Sequence, residues 1–289
     1  MGVVGFVGLG NMGSALAANL VGAGHEVVAY DASGPERAPD GVHFADDVGA
    51  VARAAEVVVL SLPDGAASTA VAREIVTADE RVTTHVIDTS TVGPRAAVAI
   101  ARVLGDAGIA YVDAPVSGGV GGARARTLAV MVAAPDTAYE RVAPVLAGLS
   151  DRVLQVGDRP GPAQALKLAN NFLSATALAA TSEAVAFGLA AGLDLATMLE
   201  VLNASSGHNT ATDDKFPNHV LTGRYASGFS NSLMAKDVGL YLGEVSDAGG
   251  PAAVGGIVAG LWARFAAEEP GADFTRLYPW VAARDPGGE

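Results

Sequence analysis

In the stretch GPAQALKLANNFLSATALAATSEAVAFGLAAG, residues 161–192, a single lysine, Lys167, stands near the start of what otherwise reads as an apolar helix, with Asn171 four residues on. Positions i and i+4 are neighbours on one helical face, so this spacing sets an amine beside a carboxamide. An ammonium in an apolar setting loses hydration, and burial lowers its pKa from a reference of about 10.4. Such an amine is suited to exchanging a proton with a substrate oxygen. Near a helix start it can equally extend its charge along an apolar stem into solvent, and the local residues leave both readings open.

A second pattern concerns phosphate. GFVGLGNMG places Gly8, Gly10 and Gly13 in the G-x-G-x-x-G spacing, directly after the β-branched run VVGFV and at the start of a helical stretch. In such a loop the first glycine makes the tight turn, the second lets a pyrophosphate approach the backbone, and the third lets helix and strand pack closely. The loop Gly8-Leu9-Gly10-Asn11-Met12-Gly13 is therefore the expected cofactor cradle, with the helix N-terminus facing the negative charge. Asp31 follows EVVAY, 18 positions beyond Gly13, where a carboxylate accepts hydrogen bonds from the adenine ribose hydroxyls and repels a 2′-phosphate. NAD is thus favoured over NADP. Arg37 is the nearby cation that argues the other way, and it sits further into the loop.

These groups need a scaffold, and the chain supplies a rhythm of short β-branched runs separated by helical stretches. Strands are predicted at Val3 to Val7, Glu26 to Tyr30, Val57 to Leu62, His85 to Ser90, Ile109 to Ala114, Thr127 to Ala133 and Arg152 to Gly157. Alternation of this kind predicts a parallel, doubly wound sheet. After DRPGPA the strand signal stops and helical signal dominates: the long stretch already quoted, then DLATMLEVLNAS, NSLMAKDVGLYLGEVSDAG and VGGIVAGLWARFAAEE. The reading is an α/β Rossmann-type dinucleotide-binding domain over 1–161, followed by an all-α domain over 162–289 for substrate binding and dimerisation. The closing DPGGE is expected to fray.

Composition narrows the function classes. With 289 residues, half of them hydrophobic, the chain has ample material for two cores. A net charge of -13 and the lack of any Lys/Arg run argue against nucleic acid. The absence of cysteine removes disulfides, thiolate metal sites and cysteine nucleophiles; no metal is expected, and a cytoplasmic location is the plain choice. The apolar start MGVVGFVGLGNMG lacks a charged n-region and carries glycines through the would-be h-region, so it reads as folded structure. Asn170, Asn171, Ser174, Thr176, Thr181, Ser182 and Glu183 make the long helix too polar for a membrane span, and a soluble core helix is expected.

Further stretches fall in order along the chain: SLPDG, DTSTVGP, DAPVSGGVGGARARTLAVMVA, GPAQALKLANN and GFSNSLMAKDVGL. Together with the glycine loop they resemble the signature set of the β-hydroxyacid dehydrogenase family over nearly the whole chain. The resemblance implies that Ser117, Gly118 and Gly119 bind a substrate carboxylate, a role that a hydroxyl and two unencumbered backbone amides can fill. It implies that Lys167 is the catalytic acid/base and Asn171 orients the substrate, with a nicotinamide carrying the hydride. Leu62, Pro63 and Thr91 match positions lining the nicotinamide half of the cofactor, and Lys236 a second lysine near cofactor and active site; Asp237 is expected to cap or to form an ion pair.

The implied activity is NAD-dependent interconversion of a small 3-hydroxy acid, such as 3-hydroxyisobutyrate, and its semialdehyde. The implied partners are a small anionic substrate and further copies of the chain in a homodimer or homotetramer, without nucleic acid or membrane. Imine reduction with NADPH and a non-catalytic dinucleotide-binding scaffold are the alternatives, and relatives of both kinds usually lack the lysine. Arg126 stands where the family usually has a glycine, and could add a cation near the substrate loop or lie on the surface. Ala133 and Ala134 replace a frequent Gly-Gly, Ala67 replaces an asparagine of some members, and His208 and Asn209 stand where arginine and serine are common. A solvent-facing loop is expected for His208.

Overall fold

The β-branched runs pair because their side chains are buried on both faces of one sheet. In the computed structural model, which describes residues 2–283, the strands are β1 (Val3–Val7), β2 (Glu26–Tyr30), β3 (Val42–Phe44), β4 (Val57–Leu60), β5 (His85–Asp88), β6 (Ala110–Asp113), β7 (Val116–Ser117), β8 (Ala129–Ala133) and β9 (Arg152–Gly157). The DPGGE stretch, 285–289, lies outside the described residues.

The strand order β3-β2-β1-β4-β5-β6 is parallel throughout. The expected all-parallel sheet ends there. Asp113 pairs with Ala133, Val116 with Val130 and Ser117 with Ala129, so β6 and β7 form one antiparallel ladder against β8, and β9 adds in parallel on the far side. A parallel neighbour needs a crossover long enough to return over the sheet; the connection after β7 holds only the six-residue helix α5 and turns back.

Helices α1 (Asn11–Gly22), α2 (Val48–Ala54), α3 (Gly65–Thr77), α4 (Pro94–Gly105), α5 (Gly119–Arg124) and α6 (Asp136–Leu149) cover the sheet. On one face Leu16 and Leu20 of α1 and Val142 and Leu146 of α6 pack with Val4 and Phe6. On the other, Val51, Ile75, Ile100 and Leu104 pack with Val58 and Leu60. Burying each such Val, Leu, Ile or Phe contributes roughly 1.5–3 kcal/mol. Asp47 and Asp64 cap α2 and α3 by accepting from the Ala50 and Ala67 amides.

The long apolar stretch forms α7 (Pro162–Ala190), followed by α8 (Leu195–Asn203), α9 (Asn231–Asp247), α10 (Ala253–Glu268) and α11 (Leu277–Ala282). A π-helix spans Ala211–Val220, a segment for which no element is predicted from the sequence. His208, next to it, is half exposed with Nε2 3.8 Å from Asp213. The chain divides into two compact units, Met1–Lys167 and Leu168–Glu289, the division falling inside α7 rather than at its start. The second unit has its own core of Leu178, Val185, Phe216, Val238, Trp262 and Phe265, among others. By length and composition α7 is long and apolar enough to cross a membrane, the one such helix among the described residues.

Candidate active site

The three fingerprint glycines are required for different reasons. Gly8 has φ +97°, and a Cβ there would sit 2.3 Å from the Ser61 carbonyl oxygen; a Cβ on Gly13 would sit 1.9 Å from that of Gly8. A Cβ on Gly10 would meet no atom within 4 Å. The first and third glycines are thus fixed by the protein's own packing, while the second leaves the backbone at the head of α1 open to a ligand. This is a cradle a dinucleotide pyrophosphate fits, with Leu9 buried, Asn11 exposed and Met12 half-buried beside it.

Asp31 is tied to that loop. Its Oδ2 accepts from the Leu9 amide at 2.5 Å and its Oδ1 from the Ser33 amide at 2.7 Å. The carboxylate is therefore held at the edge of the glycine loop by two backbone donors. A cleft of about 510 Å³ opens alongside, lined by Gly10, Asn11, Ser14, Arg37 and Arg124 among others. Ser14 Oγ donates to the Arg37 carbonyl oxygen at 2.8 Å. Arg37 thus reaches the same cleft as the glycine loop, closer than its place in the sequence suggests.

The loops after β4 and β5 are joined by the Leu62 amide, which donates to Ser90 Oγ at 2.8 Å. Pro63 is exposed on the first loop and Thr91 half-buried on the second. Ser117 is half-buried at the end of β7, and Gly118 and Gly119 follow with φ of +133° and +69°, conformations open to glycine at no steric penalty.

Arg126, where the resemblance leads one to expect glycine, has φ +60°. Its guanidinium donates to the carbonyls of Gly148 (2.6 Å) and Ala147 (2.7 Å) and to Asp151 Oδ1 (3.0 Å). It caps the C-terminus of α6 and supplies no cation to the substrate loop.

On α7, Lys167 is buried, with 8 % of its surface exposed, and Asn171, one turn on, with 5 %. Within the second unit Asn171 Nδ2 donates to Asp237 Oδ2 at 2.6 Å, and Lys236 Nζ lies 3.1 Å from Asp237 Oδ1. Phe172 stacks on Tyr241, ring centroids 4.3 Å apart. Asp237, expected only to cap or to pair with a cation, also orients the amide of Asn171.

Two further residues stand in stretches already singled out, Asp113 opening DAPVSGG and Gln164 within GPAQALKLANN, with no role expected for either. Gln164 and Asp113 are fully buried, and their hydrogen bonds join the segment around Thr91 to the first turn of α7. Burial pushes the Asp113 carboxyl up to about 6, against the hydrogen bonds from Gln164 and Gly161 that favour its ionised form. Burial likewise raises the Asp88 carboxyl, and raises the phenol of Tyr111 further with help from both carboxylates. The pairing of Gln164 with Asp113 and with Val92 spans 51 and 72 positions, which the amino-acid order does not display.

Residues 3–157 match the family described as the NAD binding domain of 6-phosphogluconate dehydrogenase, and residues 161–281 that described as the NAD-binding region of NADP-dependent 3-hydroxyisobutyrate dehydrogenase. The chain is 35 % identical to a 3-hydroxyisobutyrate dehydrogenase of Pseudomonas aeruginosa, over 98 % of this chain and 99 % of the relative. It is 36 % identical to a 2-(hydroxymethyl)glutarate dehydrogenase of Eubacterium barkeri, over 83 % and 81 % respectively. A solved Mycobacterium tuberculosis 3-hydroxyisobutyrate dehydrogenase, described with L-serine, superposes with a TM-score of 0.89 at 32 % identity, covering 97 % of this chain and 99 % of that one. A Rossmann unit with a glycine cradle, a helical unit and matches of this extent make the chain an NAD(P)-dependent member of the β-hydroxyacid dehydrogenase family.

Proposed function

We propose that the protein interconverts a small 3-hydroxy acid and its semialdehyde with NAD(H), Lys167 acting as acid/base. The observation that carries this is the buried Lys167 one helical turn ahead of the buried Asn171 on α7. Perturbed amines concentrate at functional sites, where an amine beside a carboxamide can exchange a proton with a substrate oxygen.

The substrate class follows from chemistry shared by the molecules named for the relatives. 3-Hydroxyisobutyrate, 2-(hydroxymethyl)glutarate and serine all contain a primary alcohol on the carbon next to a carboxylate-bearing carbon. They differ in the remaining substituent on that carbon. On this reading Ser117, Gly118 and Gly119 take the carboxylate, and Asn171 holds the substrate.

When bound, the nicotinamide supplies the hydride acceptor for oxidation and the donor for reduction. Lys167 Nζ takes the hydroxyl proton during oxidation and returns it in reduction, so alcohol and NAD⁺ give aldehyde, NADH and one proton. Asp237 fixes the rotamer of the Asn171 amide, and Lys236 balances the Asp237 charge. Leu62, Pro63 and Thr91 flank the nicotinamide half of the dinucleotide; Gly8, Leu9, Gly10, Asn11, Met12 and Gly13 hold its pyrophosphate.

NAD is our cofactor assignment because the carboxylate of Asp31 stands at the glycine loop. NADP is the second reading, favoured by Arg37 in the same cleft. We further propose a cytoplasmic homodimer or homotetramer, with α7 as a core helix and no membrane or nucleic-acid partner. Exposed Leu173, Phe187 and Ile257 of the second unit suit burial against another copy, and light scattering at micromolar concentration should give a mass above the monomer.

The deciding experiment is turnover of a panel of 3-hydroxy acids with each cofactor by the native protein and Lys167→Ala. The variant should lose about 10²- to 10⁴-fold in kcat and keep its affinity for NADH. Full turnover by the variant would return imine reduction to the front, and cofactor binding by the native protein without turnover would favour the scaffold reading.

A further inference from the structure

Gln164 is fully buried three residues before Lys167 and uses both ends of its amide twice. Its Nε2 donates to Asp113 Oδ1 at 2.7 Å and to the Ser90 carbonyl at 3.1 Å. Its Oε1 accepts from the amides of Val92 at 2.9 Å and Gly93 at 3.1 Å. Two backbone N–H groups facing Oε1 and two acceptors facing Nε2 fix the amide in one orientation. Asp113 completes the joint, its Oδ2 accepting from the amides of Gly161 at 2.9 Å and Gln164 at 3.4 Å.

Three segments meet on this pair. Residues 90–93 enclose Thr91. Asp113 ends β6 and shares with Ser117 the ladder against β8. Gly161 and Gln164 open the helix that presents Lys167. We infer that Gln164 and Asp113 are positioning residues: they lock the segment around Thr91, the strand leading to Ser117 and the first turn of α7 into one register, and so fix the reach of Lys167.

The inference rests on the reading of Lys167 as the acid/base. Its physical basis is that an apolar pair of the same volume would pack without desolvating a carboxylate and an amide. The partners of Asp113 named above are all donors, so the joint holds the ionised carboxylate although burial opposes it. Of the other ionisable groups, Asp88 faces Asp113 across the sheet and opposes its charge, and the Tyr111 hydroxyl donates to Asp88 Oδ2 at 3.2 Å. A satisfied buried network of this kind rigidifies what it connects, and a proton-transfer group displaced by about 1 Å loses on the order of 10²-fold in rate.

Two substitutions test it. Gln164→Met keeps the volume and removes all four bonds; kcat on the best hydroxy acid should fall about 10- to 100-fold, with NADH affinity changed less than about threefold because none of the four bonds is made to the glycine loop. Gln164→Glu keeps the acceptor for Val92 and Gly93, but it can donate to Asp113 only while the two carboxyls share a proton. Its activity relative to the native protein should therefore be near normal at pH 6 and fall at least about tenfold by pH 9.

A kcat within about threefold of native in Gln164→Met, or a pH-independent ratio in Gln164→Glu, would overturn the inference. If Gln164→Met does not fold, the Gln164→Glu profile decides alone. Lys167→Ala, run on the same substrate, separates this inference from the reading beneath it. Should that variant keep full turnover, Gln164 is judged by hydrogen exchange at the Val92 and Gly93 amides, which should keep protection in Gln164→Glu and lose it in Gln164→Met. Unchanged protection in Gln164→Met overturns the joint itself.

Discussion

Asn171 and Asp237, 66 residues apart in sequence, are bound at 2.6 Å by a buried hydrogen bond from amide nitrogen to carboxylate. The carboxylate leaves the amide one low-energy orientation, so the group assigned to hold substrate is set before substrate arrives. Asp237→Asn should lower kcat/KM by roughly 10- to 100-fold, with NADH affinity largely kept. The combined Asn171→Ala, Asp237→Asn variant should be little worse than Asn171→Ala alone, since both act through one contact. Additive losses in the double-mutant cycle would refute the coupling.

Cofactor preference tests the Asp31 carboxylate. The native protein should show a higher kcat/KM with NAD(H) than with NADP(H). Asp31→Asn combined with Ala32→Arg should move the preference toward NADP by removing a repelling charge and supplying a phosphate partner. Because Asp31 also holds the Leu9 amide, the variant should lose affinity for both cofactors to some degree. Equal or better native turnover with NADP(H) would overturn the NAD assignment.

Asp113 makes stability depend on pH in a defined direction. Its carboxyl titrates near 6 in the folded chain and near 3.8 when unfolded, so between these values the folded state binds more protons. The stability it contributes is complete below pH 3.8 and is lost as pH rises through 6, on the order of 3 kcal/mol in all. Asp113→Asn removes this titration. Urea unfolding of the two proteins from pH 4 to pH 7 should show the variant gaining on the native protein as pH rises; a constant difference would contradict the assignment.

Arg126 yields a prediction confined to stability. Arg126→Ala keeps the left-handed backbone and loses the cap on α6, and should destabilise by about 1–3 kcal/mol. Arg126→Gly loses the same cap but relieves the strain and should cost less. Chemical denaturation ranks the three proteins, and kcat should be unchanged in both variants because the side chain serves the end of a helix.

The longer strands were legible because VVGFV, EVVAY and RVLQVG are valine-rich runs flanked by turns. The three residues of β3 and two of β7 are too short to show a period, and strand direction at β8 is decided by the length of the return, which residue type does not encode. The π-helix at Ala211–Val220 carries Pro217 and two adjacent aspartates, and reads locally as a loop. At the site, glycine spacing and an isolated lysine announce themselves within a few residues. Gln164 and Asp237 acquire their roles from partners 51 and 66 positions away, and Arg126 from a helix end 22 away, distances over which a single sequence gives no signal.

The backbone at residue 126 divides the amino acids available to it into two separate groups. Glycine is admitted by its freedom at positive φ, arginine by a side chain long enough to reach the end of α6. Residues between them in size have the strain without the reach, so tolerance there should have two peaks with a trough at alanine, valine and leucine. Glycine and arginine codons can differ by a single base, so a lineage can cross from one peak to the other in one step without passing through the trough. Drift at this position should therefore appear as abrupt exchange between the smallest and one of the largest side chains.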